Sequence, residues 1–544
     1  MCARCALVPL DVISSKRLFS KSLLAFVLLL GLSLTGVAAA PATNLPAIPT
    51  TVDSITAAEL RMHLEFLSST ELGGRYTLSP NFPIAARYLA SQLEGYGFRG
   101  AGPNNSFLQR FDLISSKPDQ SKMSLELNVN GTSETAKFGQ DYFGAIDSGI
   151  GAAQGQLVFV GSGISAPKQG YDEYAGKEVK GKIVVVVSGV TGGIDLSKLA
   201  ENEHGSGAAI AHGAVGMLVV PPQRFLSLMK NRNTTQRFAG RETVQLAHQS
   251  DGTLPALTLG PDLADKVLGA FGLNLKDVYS VVDSKKEAGN ACRQCSASFN
   301  VALQQTRTVT QNVAGILEGT DPKLRDEYVT FSAHYDHLKT GADGEIYHGA
   351  DDDGSGTSAV LAIAKAMSLN RPKRSVLVIF HAGEELGLLG SEYNADFAPV
   401  VPLDKMVVDL NIDMIGRSKP TGDHDPADEH LTDANSVYLV GSNRISPELH
   451  QISEETNQQF QKMKLDYYYN DPANPERIYY RSDHWNYAKH GIPIIFYFSG
   501  THVDYHRPTD TIDKIDFDKM THVTRLVFET GWRIANLDHR LTKN

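Results

Sequence analysis

After Thr308 the chain alternates short, almost uninterrupted apolar runs with helical stretches. The runs are NVAGILEG, EYVTFSA, SVLVIFHA, MVVDLNIDM and IPIIFYFSG, and GTSAVLAIAKAMS is one of the helical stretches that follow them. Strands apolar on both faces belong in a sheet that is covered on both sides. This pattern predicts an α/β fold, a three-layer sandwich with a mainly parallel central sheet.

Upstream the period changes. Leu60, Leu64 and Leu67 recur at helical spacing, as do Ala86, Leu89, Leu93 and Tyr96, and Gly97 reads as a C-terminal stop. From about Gln156 to Asp283 the chain instead carries GQLVFVG, KGKIVVVV and GAVGMLVV, short apolar strands between Gly-rich turns, with AAIAHGAVGMLVV as a small helix feeding a strand. A β-rich insert of ~130 residues lies in the normal size range of a domain. The expected boundaries are 1–40 for an export signal, 51–150 for the N-terminal part of the main domain, 151–290 for the insert and 300–540 for the rest of the main domain. The early helices then pack on the central sheet, and the main domain is discontinuous.

A length of 544 residues exceeds one ordinary core. Charged residues make up 21% and apolar ones 42%, a globular composition without the signature of disorder. A net charge of −10 and the lack of a Lys/Arg cluster in the body of the chain argue against nucleic acid as a partner. Arg4, Lys16, Arg17 and Lys21 precede an apolar run from Leu23 to Val37, and Ala38, Ala39 and Ala40 supply small residues for cleavage. That run of about 15 residues falls short of the roughly 20 needed to span a bilayer. The expectation is export to a periplasm or the medium, with no stable membrane insertion after cleavage. Cys2 and Cys5 leave with the signal, and Cys292 and Cys295 are expected to form a local disulfide in an oxidising compartment.

Five metal-type donors occur in order, His334, Asp352, Glu385, Asp413 and His506, with Glu384 beside the third. Most follow directly on an apolar run, and Asp352 in GADDDGSG precedes a helix. In open α/β sheets ligands bind beyond the carboxyl ends of the strands, where these residues fall. Zinc takes imidazole nitrogen and carboxylate oxygen and keeps a position open for water in catalytic sites. Five donors suffice for two ions, and an unligated glutamate beside them supplies a general base, which points to amide hydrolysis. Composition leaves Asp351, Asp352 and Asp353 as competitors for one ligand position.

The motifs AHYDHL, GADDDGSG, HAGEELGLLGS, LNIDMIG, RSDHW and DYHRPTDT resemble, in this order, those of the co-catalytic zinc exopeptidases that include bacterial leucyl aminopeptidases and glutamate carboxypeptidases. The insert resembles a protease-associated (PA) domain, and the likeness is taken to run over nearly all of the chain after the signal. The resemblance implies two Zn2+ per subunit. Asp352 would bridge them, His334 and Asp413 would complete one, and Glu385 and His506 the other. It further implies that Asp336 holds the His334 imidazole in its ligating tautomer, that Glu384 is the general base acting on a metal-bridging water, and that the Asp352–Asp353 peptide is cis.

The leading expectation is an aminopeptidase that releases N-terminal residues from peptides. A carboxypeptidase or dipeptidase on the same scaffold stays open, because Arg417, Arg444, Arg477 or Arg481 is able to clamp a terminal carboxylate. A single-zinc glutaminyl cyclase and a non-catalytic binding protein are disfavoured by the complete donor set. Ser482, Asp483 and His484 are expected near the site with either shaping or structural roles. His348, His381, His490 and His502 have no motif role, and the sequons at Asn104, Asn130 and Asn233 matter only if the source glycosylates. Side-chain preference and oligomeric state are not legible.

Overall fold

Helix Gly354–Leu369 is buried over almost its whole circumference, so it needs cover on every side. In the computed structural model it lies between the strands Tyr328–His334, Ser375–His381 and Met406–Ile412 beneath it and the helices Ala57–Leu67, Phe82–Gly95 and Phe517–Asn536 around it. The structure describes residues 45–544 apart from 146–147, 195, 197–198, 230–238, 251–253 and 285–291. The expected signal at 1–40 and the Asn233 sequon lie outside the described residues.

The two predicted early helices form as Ala57–Leu67 and Phe82–Gly95. Leu60, Leu64 and Leu67 of the first, and Ala86, Leu89 and Leu93 of the second, face the core. Thr56 caps the first helix by accepting from the Glu59 amide at 3.2 Å, and Gly97 turns the chain out of the second at φ 82°.

The larger sheet has ten strands. Its order is Thr243–Leu246, Leu108–Pro118, Leu303–Leu317, Ser375–His381, Tyr328–His334, Met406–Ile412, Ile494–Phe498, Ser436–Val440 and Lys464–Asp466, with Arg99–Gly100 added on Leu303–Leu317. The pairing is mixed rather than mainly parallel. Parallel neighbours run from Ser375–His381 through Ile494–Phe498, and both flanks bring antiparallel pairs. The parallel run is buried on both faces. In Ile494–Phe498, Ile495 and Tyr497 enter the core with the long helices, while Ile494, Phe496 and Phe498 enter a second core with helix His484–Ala488.

A second sheet of eight strands occupies residues 124–301. Its central strands, Gly151–Phe159, Ile183–Val187, Gly216–Val220 and Ala256–Leu259, are parallel. Ser124–Val129, Thr132–Thr135, Tyr142–Gly144 and Cys295–Val301 also belong to it, so the expected boundaries at 150 and 290 fall inside this sheet rather than at its edges. One strand inside the expected insert, Thr243–Leu246, pairs instead with Leu108–Pro118 of the larger sheet. The pairing is non-local, which is why local pattern does not reveal it. Cys292 and Cys295 form the disulfide. Among the described residues no helix is long and apolar enough to cross a membrane.

Candidate metal centre

The parallel run delivers its carboxyl ends to one rim. His334 is the last residue of Tyr328–His334, Glu384 and Glu385 follow Ser375–His381, Asp413 follows Met406–Ile412, and His506 sits in the loop after Ile494–Phe498. Asp352 and Asp353 lead into helix Gly354–Leu369. Gly356 lets that helix start against the strand end, since a Cβ there would meet Ile412 O at 2.4 Å.

The donor atoms converge. His334 Nε2 lies 3.3 Å from Asp352 Oδ1, 3.6 Å from Asp413 Oδ1 and 3.9 Å from Glu384 Oε2. On the other side His506 Nε2 lies 3.0 Å from Asp352 Oδ2 and 3.0 Å from Glu385 Oε2. Asp352 therefore presents one oxygen to each half of the site. Its neighbours face elsewhere. Asp351 accepts from the Gly416 amide at 2.6 Å and faces His502 at 3.2 Å, whereas Asp353 caps the helix through Gly356 N at 2.8 Å and also takes Met414 N. The Asp352–Asp353 peptide is cis.

These groups suit a cation. Asp352 Oδ2, Glu385 Oε1 and His506 Nε2 are shielded from solvent yet have no hydrogen-bond partner among the described residues. Buried polar atoms are rarely left so. Their donors are the imidazoles and carboxylates that zinc accepts, and grouping by distance gives two compact triads, His334 with Glu384 and Asp413, and His337 with Asp352 and Glu385.

Adjacent glutamates are driven apart. Burial pushes Glu384 well above the usual carboxyl range; His334 opposes this, and Glu385, Asp413 and Asp483 reinforce it. Burial and Asp352 also act against ionisation of Glu385, but His337 and His506 prevail and lower it. Environments that split two carboxyl groups in this way assign them different work.

Asp336 meets His334 chiefly through its backbone. The Asp336 carbonyl oxygen lies 3.1 Å from His334 Nδ1 while its carboxylate stands 3.7 Å away. The carboxylate instead accepts from the Glu384 amide at 3.1 Å and from the Thr77 hydroxyl at 2.8 Å. It thus ties the loop of the two glutamates to the strand end of His334.

Ser482 accepts from Asn411 at 3.0 Å and lies beside Asp413, and burial raises the nearby Asp483 carboxyl to about 7. His484 is structural, its Nε2 2.8 Å from Tyr479 O and its ring stacked on Phe496. His381 lies against Tyr487 Oη at 3.2 Å, His348 against Ser68 O at 2.8 Å, and His490 against Asp396 at 2.6 Å. His502 packs between Asp351 and Arg417.

Three residues escape a reading of the sequence. Arg75, 1% exposed, donates to Tyr335 O, Leu67 O, His348 O and Gly349 O at 2.5–2.9 Å. Asp510 accepts from the Asp351 amide at 3.0 Å and the Asp352 amide at 3.2 Å. Together they grip the loop before helix Gly354–Leu369, a guanidinium on its carbonyls and a carboxylate on its amides. The third, His337, lies 2.8 Å from Glu385 Oε1. His337 and Asp510 carry a signal, since they lie inside the motifs AHYDHL and DYHRPTDT, and Arg75 carries none.

A small open cleft lies over Asp352, Glu384, Asp413 and His506, with Met414, Ile478, Phe496, Phe498, Thr501, Tyr505 and Arg481 completing its wall. Of the four arginines, Arg417 is paired with Asp504 at 2.9 Å. Arg444 and Arg477 lie over the rings of Tyr479 and Tyr480. The Arg481 guanidinium makes no hydrogen bond or ion pair with any described residue, and it borders the cleft.

Peptidase family M28 matches residues 312–531, a shorter span than the motif resemblance suggests. The chain is 30% identical over 214 residues to Aminopeptidase YwaD of Bacillus subtilis (strain 168), an alignment covering 39% of this chain and 42% of that one. It is 29% identical over 247 residues to the probable leucine aminopeptidase 2 of Aspergillus oryzae (strain ATCC 42149 / RIB 40), covering 45% and 44%. The alignments thus span less than half the length of these two relatives. The fold is similar to that of the aminopeptidase from Aneurinibacillus sp. strain AM-1, with a TM-score of 0.52 at 18% identity over 91% of this chain and 97% of that chain. All of the converging donors lie inside the span that the peptidase family M28 matches.

Proposed function

We propose that the chain is an exported zinc-dependent exopeptidase, and that it acts as an aminopeptidase on peptides. The observation that carries the reading is Asp352, with one oxygen 3.3 Å from His334 and the other 3.0 Å from His506, beside a glutamate whose carboxyl is held up by burial. His334, Asp413 and Asp352 would hold one Zn2+, and Glu385, His506 and Asp352 a second. When bound, the ions supply Lewis-acid polarisation of the scissile carbonyl and lower the pKa of water toward neutrality.

The protein's own groups do the rest. Glu384, on the cleft wall, takes the proton from the attacking water and returns it to the departing amine nitrogen. Asp336 fixes the backbone amide of Glu384 and so aims it. Met414, Ile478, Phe496 and Phe498 give the lining an apolar part that seats an apolar side chain of the substrate. The carboxylates of the rim suit a free α-amine. Export rests on the N-terminal sequence pattern, and the eight-stranded unit, read as a PA-like insert, bounds access to the cleft.

Arg481 favours a second reading, in which its guanidinium takes a C-terminal carboxylate and the enzyme is a carboxypeptidase or dipeptidase. One short apolar peptide, offered with free ends, a blocked N-terminus or a blocked C-terminus, separates the two. Cleavage that stops on N-terminal blocking and on chelation supports the aminopeptidase. Cleavage that needs the free C-terminus moves the assignment to the second reading, and chelator-resistant cleavage removes the metal from it.

A further inference from the structure

The half of the site around Glu385 holds one donor more than the proposed ligand set uses. His337 is completely buried, its Nε2 has no hydrogen-bond partner among the described residues, and its Nδ1 faces only carboxylates of the site. Other buried histidines do not behave so. His63 meets Tyr88, His381 meets Tyr487 and His484 meets Tyr479 O. A neutral imidazole stripped of water on both nitrogens is costly unless something else occupies one of them.

Its Nδ1 lies 2.8 Å from Glu385 Oε1 and 3.7 Å from Asp352 Oδ2. Across the same space, His506 Nε2 stands 3.0 Å from Asp352 Oδ2 and 3.0 Å from Glu385 Oε2. Donors bound tetrahedrally to zinc at ~2.0–2.1 Å stand about 3.3 Å apart, and the separations of each imidazole from the two carboxylates bracket that value. The four atoms His337 Nδ1, His506 Nε2, Asp352 Oδ2 and Glu385 Oε1 have no hydrogen-bond partner outside this site among the described residues. The two rings meet edge to face, with centroids 5.8 Å apart and planes at 71°.

The ring is also fixed in place. A Cβ on Gly349 would come within 2.6 Å of His337 Cγ and Cδ2, so backbone packs directly on the imidazole. Gly349, at φ 56°, is held by Arg75, and the His337 amide donates to the Arg75 carbonyl at 3.3 Å. The imidazole is thereby aimed at the carboxylates before any ion arrives.

Resting on the metallopeptidase reading, we propose that His337 is a further donor to the ion held by Asp352, Glu385 and His506. That position then has two imidazoles and two carboxylates, against one imidazole and two carboxylates at the other. It is the tighter of the two sites for zinc and the last to empty.

The test reads metal ligation, not turnover. Protein labelled with 15N-histidine and loaded with 113Cd2+ is expected to show cadmium coupling to three histidines, assigned to His334, His337 and His506 by single substitutions. Coupling to two would overturn the proposal and leave the peptidase reading intact; protein that binds neither Cd2+ nor Zn2+ would overturn both. His337→Ala and His337→Gln, each checked for native circular dichroism and melting, are expected to lose more than ~100-fold in affinity for one Zn2+ of two, beyond the usual cost of removing an outer-shell partner. Near-native affinity in His337→Gln would show that a side-chain donor to Glu385 is all the position requires, and would also overturn it.

Discussion

The two sheets have the same parallel arrangement at their centres and bury different things. In the eight-stranded sheet the parallel strands run out into Val160-Gly161, Ser188-Gly189, Pro221-Pro222 and Gly260-Pro261. In the ten-stranded sheet they run out into His334, Glu384, Glu385 and Asp413. Among the described residues of 119–301 no Asp, Glu, Lys, Arg or His side chain is buried, whereas the ten-stranded half buries Arg75, Asp336, His337, Asp351, Asp352, Asp353, Asp510 and others. Parallel topology brings the strand ends to one edge in both. Only one of them lines it with groups that cost free energy to desolvate, and such groups concentrate where chemistry is done.

That contrast breaks most sharply at Asp352. Asp352→Ala is expected to abolish binding of both ions, read by metal analysis of purified protein, and peptide cleavage with it. Glu384→Gln should retain both ions and lose ~10²–10⁴-fold in kcat, the usual contribution of a general base; retained full activity would remove Glu384 from the mechanism. Arg75→Leu leaves three buried carbonyls and one part-buried carbonyl without their donor and is expected to cost about 3–5 kcal/mol in denaturant unfolding.

Glu529 asks whether buried charge in the ten-stranded half is tolerated away from the site. Burial, opposed by Gln461 and by Arg525 and Arg533, raises its carboxyl to about 7, and the side chain is 2% exposed. A folded-state value above the ordinary 4.5 means that the protonated form is favoured on folding. Its stabilising contribution is complete below about 4.5 and is lost as pH rises through 7. Glu529→Gln should therefore leave stability unchanged at pH 4.5 and raise it by about 3 kcal/mol at pH 8, since each tenfold change in a protonation equilibrium is worth ~1.4 kcal/mol. Ser188→Ala with Pro222→Ala, at the strand ends of the other sheet, is expected to change stability by no more than about 0.5 kcal/mol and metal content not at all.

Much of the larger sheet is legible in the sequence because its strands are apolar on both faces, and the strand-end rule locates Glu384, Glu385 and Asp413 without coordinates. The choice among Asp351, Asp352 and Asp353 is not, since three identical side chains in a row are separated only by where each one points. Local pattern places Thr243–Leu246 in the insert because nothing in four residues records which of two sheets supplies the partner. Arg75 is invisible for a related reason. Its role lies in carbonyls contributed by separate stretches of backbone, and a lone arginine after two glycines reads as an ordinary surface turn.

Arg75 and Thr77 also separate two lengths that are easily equated. The stretch by which the chain is recognised begins at residue 312. A fragment cut to that stretch would keep every carboxylate and imidazole of the centre, yet lose the guanidinium that clamps His348 and Gly349 and the hydroxyl that braces Asp336. The shortest recognisable piece of this protein is thus shorter than the shortest piece able to work, and expression boundaries belong upstream of the segment that carries Arg75.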